Sequence, residues 1–252
     1  MTKNNPNVSI ITPSYNSLPF IEKTINSVLK QTYKDWELLI TDDCSKDCTW
    51  ELLQRYSKQD ERIKIFKLEK NSGAATARNN SLKNANGRFI AFLDSDDIWY
   101  PEKLEKQLAF IKKNDYAFTF TAYDQMSEQG IKLNRRISAP KSIDYNQYLR
   151  NTIIGCLTVI IDREKTGDFR MPLIKSSHDM ALWLLIMKRG FIAYGLNEVL
   201  ASYRLVSNSN TAKKWKAAQD VWRVYREIEQ LSYITSSYLF CWYAFNAIKK
   251  RV

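Results

Sequence analysis

Apolar positions along this chain follow two alternating rhythms. "VSIITP" (8–13), "WELLITDD" (36–43), "RIKIFKLE" (62–69) and "RFIAFLD" (88–94) are short runs of branched and large apolar residues, the composition of buried strands. Between the first two, "LPFIEKTINSVLKQT" (18–32) sets Ile21, Ile25, Val28 and Leu29 at helical spacing. A second helix is expected from about Cys48 to Ser57 with Asp47 as its N-cap, and a third from about Ala74 to Asn84 after a turn at Gly73. Four strands alternating with three helices predict a parallel, doubly wound sheet. Unbroken apolar runs such as "IAFL" suit a sheet covered on both faces.

Beyond Tyr100 the rhythm loosens. A helix over about 101–113 leads to "YAFTFTAYD" (116–124), then "CLTVIID" (156–162) and "EVLASYRL" (198–205) read as further strands of a more irregular, antiparallel second half. Between the last two lies a helix over 176–190, which Ser176 or Ser177 can cap and Gly190 ends. From Lys213 onward, basic residues alternate with Trp215, Trp222, Tyr225, Tyr233, Tyr238, Trp242 and Tyr243. Two readings of this segment stay open: an amphipathic helix lying on an anionic membrane surface, or a helical cap packed on the domain. The uncharged stretch 231–248 is diluted by Ser, Thr, Asn and aromatic rings, so lying on a membrane is favoured over crossing it.

Composition narrows the classes. The formal charge of +11 invites a nucleic-acid reading, but about half of the excess sits in the aromatic tail, so no nucleic-acid partner is expected. The four cysteines, at 44, 48, 156 and 241, form no CxxC pair, and His178 is the single histidine, which disfavours a Cys/His zinc site. Reduced thiols and the lack of an export signal in "MTKNNPNVSIITPSYN" lead to the expectation of a cytoplasmic protein, peripheral at the inner face of the cell membrane.

The chemistry concentrates at strand ends. "TPSYN", "TDDCS" and "LDSDD" each follow a predicted strand directly, so all three should face one crevice beyond the carboxyl edge of the sheet. Asp43 alone reads as a helix cap. Asp94, Asp96 and Asp97 together repel one another and cost stability unless a cation is present. Hard carboxylate oxygens with no nearby Cys or His favour Mg²⁺ or Mn²⁺, ions that bridge one or two carboxylates to phosphates. A calcium loop is disfavoured because "DSDDIWYPEKLE" has no Gly at its sixth position.

These residues resemble a known family. "VSIITPSYN", "LLITDDCSKD", "NSGAATARNNSLKNANGRFIAFLDSDD" and "HDMALWLL", in order over about residues 7–205, are similar to the signatures of family 2 glycosyltransferases, and length and tail most resemble short bacterial enzymes of O-antigen, capsule or teichuronic acid synthesis. The resemblance implies an α/β GT-A fold: a Rossmann-like, mostly parallel central sheet flanked by helices, with a C-terminal helical extension. It also implies a division into a glycosyltransferase domain at 1–211 (nucleotide half 1–100, acceptor half 101–211) and a basic aromatic helical segment at 212–252. The implied activity is metal-dependent, inverting transfer from a UDP-sugar to a lipid-linked saccharide acceptor, with Mn²⁺ or Mg²⁺ as cofactor and the membrane surface met through the C-terminal segment. Thr12, Pro13, Tyr15 and Asp43 would hold the base, Arg78 would lie near base and diphosphate, and Arg204 would clamp the diphosphate. Asp96 would be the direct metal ligand, with Asp94 toward sugar or ribose and Asp97 in support, and Asp179 would be the general base.

Two departures stand out. His178 replaces the usual Glu before the base, and three readings stay open for it: a partner of the base, a contact to an acceptor phosphate, or a surface residue. Val206 stands where many members carry a metal-binding His after the "YR" arginine. A non-catalytic nucleotide-sugar binder keeping the fold is the alternative reading. A nucleotidyltransferase is disfavoured because "TPSYNSLPF" lacks the Gly-rich basic loop that a triphosphate needs.

Overall fold

Strand β1 (Val8–Ser14) is buried at every position and sets the register of its neighbours. In the computed structural model, which describes residues 5–206 and 214–249, β1 runs parallel to β2 (Trp36–Asp42), Val8 opposite Trp36 through Ser14 opposite Asp42. On its other side β4 (Phe89–Phe92) is also parallel, and β3 (Ile63–Lys67) extends the parallel set beyond β2. Helices α1 (Ile21–Leu29), α2 (Thr49–Gln59) and α3 (Ala74–Lys83) connect these strands, as the alternation predicts. The expected cap of α2 differs in detail: Cys48 takes the N-cap position, while Asp47 Oδ1 accepts the Thr49 N–H at 3.0 Å.

The second half joins the same sheet. After β5 (Ile98–Trp99) and α4 (Lys103–Asn114) come β6 (Phe118–Met126), β7 (Lys132–Ile137), β8 (Ser142–Ile143), α5 (Tyr145–Arg150), β9 (Ile160–Asp162), α6 (Arg163–Thr166), α7 (His178–Lys188) and β10 (Ala193–Arg204). The order is β3-β2-β1-β4-β9-β6-β10-β5, with β7 on β6 and β8 on β10. Antiparallel pairing by β5, β7, β8 and β9 agrees with the expected irregular half, but β10 lies parallel to β6 and is bulged twice, between Leu196 and Ala201. The strand expected at 156–162 begins instead as a 3₁₀ turn, Cys156–Thr158, because Thr158 N–H and Oγ1 both turn back to the Gly155 carbonyl.

Strand alternation sorts the core onto two faces. Val8, Ile10, Leu38, Ile40, Phe89 and Ala91 pack with α1, α2 and α4, whereas Ile11, Leu39, Ile90 and Phe92 face α3, α5 and α7. Trp183 of α7 is fully buried there, edge-on to Phe92 at 5.3 Å. This is the doubly covered, mixed but mostly parallel sheet flanked by helices that the pattern implies.

The C-terminal segment forms α8 (Lys214–Arg223), a π-helical turn at Val224–Ile228 and α9 (Tyr233–Lys249). It packs on the domain: Tyr225 Oη donates to the Leu149 carbonyl, and buried Glu229 accepts from Tyr145 Oη and, at 2.7 Å, from Lys188 Nζ. Its other side exposes Trp215, Tyr233, Ile234, Tyr238, Trp242 and Phe245. The tail therefore caps the domain and also presents an aromatic face. Expectations for 207–213 and 250–252 lie outside the described residues. Among those described, no helix is long and apolar enough to cross a membrane.

A buried polar network closes the amino-terminal edge of the parallel strands. Glu37 on β2 is 2% exposed and accepts from Ser9 Oγ (2.6 Å), Lys64 Nζ (2.6 Å) and Asn86 N–H (2.7 Å). Burial alone would raise its pKa; Lys64, Ser9 and Asn86 outweigh burial and hold it below the ordinary value of 4.5. Glu37→Gln should therefore cost about 1–3 kcal/mol at neutral pH. The contribution is present above the unfolded pKa, so the gap between parent and variant should close as pH falls below 4.5 through the lowered folded value. Urea melts of both proteins across pH 3–7 check this.

Candidate active site

At the opposite edge of the sheet three loops meet. The ends of β1, β2 and β4, with the start of α3, line a crevice of about 220 Å³ with Pro13, Tyr15, Asp43, Arg78, Asp94 and Asp96. Ser14, Ala74 and Ser95 also line it, positions with no individual signal in the sequence. Convergence at the carboxyl ends of strands follows from parallel pairing, because every crossover returns the chain to the same edge.

Each loop is held by local chemistry. Asp43 accepts the backbone N–H groups of Ser72 and Gly73 at 2.7 and 2.8 Å, fastening the start of α3 to the end of β2. Gly73 has φ +90°, a conformation that side chains rarely adopt. Asp43 therefore does not cap α2, the helix that follows its strand; it holds the 72–73 turn before α3, and Arg78 lies one turn along that helix. Asp42 makes a similar turn by accepting Ser45 N–H (3.0 Å) and Oγ (2.5 Å). Asn16, Cys44 and Ser177, all non-glycine residues with positive φ, stand at the loops that border this edge.

Arg78 is 5% exposed and joins two regions. Its Nη2 donates to Asp94 Oδ1 and its Nη1 to His178 Nε2. Nε has no protein partner, so one donor stays in reserve. Burial opposes the charge, but the field of Asp94 foremost, with Asp179, overcomes this and holds the pKa above its ordinary value. Since Arg can only donate, His178 Nε2 accepts and the ring proton lies on Nδ1. Burial and the Arg78 charge press the His178 pKa down to about 4, so the ring is neutral at pH 7. None of the three readings for His178 names what the structure shows, a half-buried partner of Arg78 that is next to Asp179 in sequence.

The acid cluster divides by depth. Asp96 lines the crevice, and burial followed by the neighbouring Asp94 pushes its pKa up to about 6. Asp97 is fully buried behind it, with Oδ1 accepting the Arg204 N–H at 2.8 Å and Oδ2 lacking a partner. Its pKa is raised well above 3.8 by burial, then by Asp96 and Asp94. Among the described residues no three Asp, Glu, Cys or His side chains form a closed metal cage. What the donor set fits is a hard divalent ion held by Asp96 on one side and by ligand phosphates and water on the other.

Three expected residues lie elsewhere. Thr12 is buried within β1 and does not line the crevice, and its Oγ1 has no partner. Arg204 is 1% exposed; Nε and Nη1 bond the carbonyls of Asp96 (2.6 Å) and Glu128 (2.9 Å), which ties the acid loop to the β6–β7 turn and leaves Nη2 without a partner. Asp179, in the first turn of α7, lines a separate pocket of about 240 Å³ beside the crevice. Arg78 and His178 stand between the two spaces. Sequence reasoning missed the other walls of that second pocket, because they come from α5, the 174–177 loop and the C-terminal helices, which share no motif. The "DYNQ" capping box that starts α5 was the one readable signal among them.

Comparison with known proteins agrees with this geometry. The family model described as "Glycosyl transferase family 2" matches residues 9–169. TuaG of Bacillus subtilis (strain 168), a protein named for teichuronic acid biosynthesis, is 54% identical over 252 residues, covering 100% of both chains. WfgD of Escherichia coli, named as a UDP-Glc:alpha-D-GlcNAc-diphosphoundecaprenol beta-1,3-glucosyltransferase, is 44% identical over 218 residues, 86% of this chain and 84% of its own. Among solved structures, S. aureus TarS 1-349 in complex with UDP matches with a TM-score of 0.67 at 23% identity, covering 93% of this chain and 69% of that one. The mannosyltransferase PcManGT of Pyrobaculum calidifontis, in complex with GDP-Man and Mn2+, gives 0.69 at 18% identity, over 91% of this chain and 66% of its own. At those identities the structural likeness is one of fold.

The single histidine makes the Arg78 contact directly measurable. A proton NMR titration should find His178 titrating near 4 in the parent. In Arg78→Met, removal of the nearby positive charge should move it up toward 6.5, leaving only the part of the shift due to burial.

Proposed function

This chain belongs to glycosyltransferase family 2 and carries the GT-A fold, and on that premise we propose that it transfers a sugar from a UDP-sugar to a saccharide held on a lipid diphosphate, with inversion, in the synthesis of a cell-surface polysaccharide. The observation that carries the reading is the pair of adjoining spaces: a crevice with Tyr15, Asp43, Arg78 and Asp96, and beside it a pocket with Asp179. The name of TuaG supports the polysaccharide setting, and that of WfgD supports both the lipid-diphosphate acceptor and the UDP-sugar donor.

In this reading the exposed Tyr15 ring stacks on uracil at the crevice lip. Asp43 keeps a lone pair on each oxygen for the base imide after accepting Ser72 and Gly73. Pro13 shapes the floor from β1, with Thr12 buried behind it and not in the crevice, and Arg78 offers its unpartnered Nε on the diphosphate side. Arg204 acts on the diphosphate side by fixing the Asp96 carbonyl and so the acid loop. Asp96, flanked by Asp94, would hold Mn²⁺ or Mg²⁺, which supplies charge stabilisation for the departing diphosphate. Asp179 removes the proton of the attacking hydroxyl as its oxygen bonds to the anomeric carbon, and the bond from that carbon to the phosphate oxygen breaks. Attack from the face opposite the leaving group inverts the centre. The exposed aromatic face of α8 and α9 would rest on the membrane that holds the acceptor.

Calorimetry with UDP, GDP, CDP and ADP, each with Mn²⁺ and with chelator, tests the donor site. Selective, metal-dependent UDP binding is expected, and binding indifferent to base and metal would defeat the reading. Asp96→Asn should abolish the metal-dependent part, and in the parent that part should weaken as pH falls through about 6, where Asp96 takes up a proton. Asp179→Asn should keep UDP binding and lose roughly 10²–10⁴-fold in transfer. Normal transfer by that variant would remove Asp179 as the base, and UDP binding without turnover in the parent would favour the non-catalytic binder.

A further inference from the structure

The pocket around Asp179 has a wall supplied by the C-terminal segment. Asp220 and Val221 of α8 and Tyr243 of α9 face Tyr148, Ser176 and Asp179 across about 240 Å³. That wall is fixed in place: Tyr225 is fully buried with its hydroxyl on the Leu149 carbonyl, and Glu229 is held by Tyr145 and Lys188. The volume equals that of about eight liquid waters, room for one sugar unit and not for a chain of them.

We propose that this pocket is the acceptor subsite, that Asp220 and Tyr243 complete it, and that it takes one uncharged, hydroxyl-rich sugar ring and rejects an anionic one. The proposal rests on the glycosyltransferase reading above and deepens it. Three observations converge. Among the described residues, the charged side chains that line the pocket are Asp179 and Asp220, both carboxylates, so a uronate or phosphate group inside would meet like charge from these walls. Ser176 Oγ is buried without a protein partner, and an unpaired buried hydroxyl is costly unless a ligand or water pairs with it. Asp220 is 4% exposed and spends one oxygen on Arg223 Nη1 at 3.1 Å, which fixes its carboxylate to receive a sugar hydroxyl. Asp179 is then the group within the same space that meets the nucleophilic hydroxyl, and any phosphates of the acceptor stay outside the pocket.

Saturation-transfer NMR on the full chain with UDP and Mn²⁺ tests this, using neutral methyl hexosides and N-acetylhexosaminides as probes beside the matching methyl uronides. At least one neutral glycoside should bind at least tenfold more tightly than its uronide. Ala217→Phe, which fills the pocket from α8, should weaken the neutral glycoside tenfold or more while UDP affinity, measured by calorimetry, stays at the parent value. Asp220→Asn should narrow the gap between neutral glycoside and uronide, an effect that a purely structural role for Asp220 would not produce. Equal or preferred binding of the uronide, no binding of any glycoside, or unchanged glycoside binding in Ala217→Phe with UDP binding intact would each overturn the proposal. Loss of UDP binding by the parent protein itself would instead defeat the donor reading, and this subsite with it.

Discussion

A guanidinium cannot shed its proton in a protein, so burying one obliges its surroundings to answer its charge. Arg78 imposes that obligation here. Asp94 is drawn to one of its nitrogens, His178 must stay neutral to accept from another, and the third faces no protein partner. Much of the site follows from satisfying this one group. The start of α3 is tied down by Asp43 so that Arg78 points between the strand ends, and the residue before Asp179 is held through the same cation. The crevice and the Asp179 pocket are therefore electrostatically linked even though different elements line them.

The sheet divides its labour between its two edges. At the amino-terminal edge Glu37 links β1, β2, β3 and the turn before β4 through fully made hydrogen bonds. At the carboxyl edge Asp97 Oδ2, Arg78 Nε, Arg204 Nη2 and Ser176 Oγ lack protein partners, and so do Trp36 Nε1 beside Glu37 and Trp183 Nε1 in the core. An unpaired buried group is costly wherever it lies, and at the crevice it is one that a ligand or ion can satisfy.

Much of this was legible in the chain because parallel strands with connecting helices have strong periodic signatures and leave their loops at one edge. β1 to β4 and α1 to α3 fall where the pattern predicts, and Pro13, Tyr15, Asp43, Asp94 and Asp96 meet as the strand-end motifs imply, joined by Arg78, which only the family resemblance brings there. What could not be read depends on tertiary choice. The two-residue strands β5 and β8 are too short to have a period, and the direction of β10 beside β6 is set by the long connection between them, which no local pattern encodes. Arg204 is expected at the diphosphate, yet it bonds the carbonyls of Asp96 and Glu128, which come from loops distant in sequence. Asp220 and Tyr243, walls of the Asp179 pocket, belong to a segment whose aromatic and basic composition suits a membrane surface equally well, and only packing against α5 and α7 shows that one face is taken.

The four positive-φ positions that border the site, Asn16, Cys44, Gly73 and Ser177, sit on loops remote from the Glu37 network. Left-handed backbone at a non-glycine residue costs on the order of 1 kcal/mol, so the carboxyl edge carries local strain at Asn16, Cys44 and Ser177, against Asp115 before β6 at the opposite edge, and the two-faced core must offset the difference. Mutational tolerance should then be lopsided. Relaxing substitutions near the strand ends would tend to yield sturdier but less active proteins, and repairs at the other edge would restore the margin without touching chemistry. A lineage could on that account exchange its acceptor by remodelling one pole while the other stays almost unaltered.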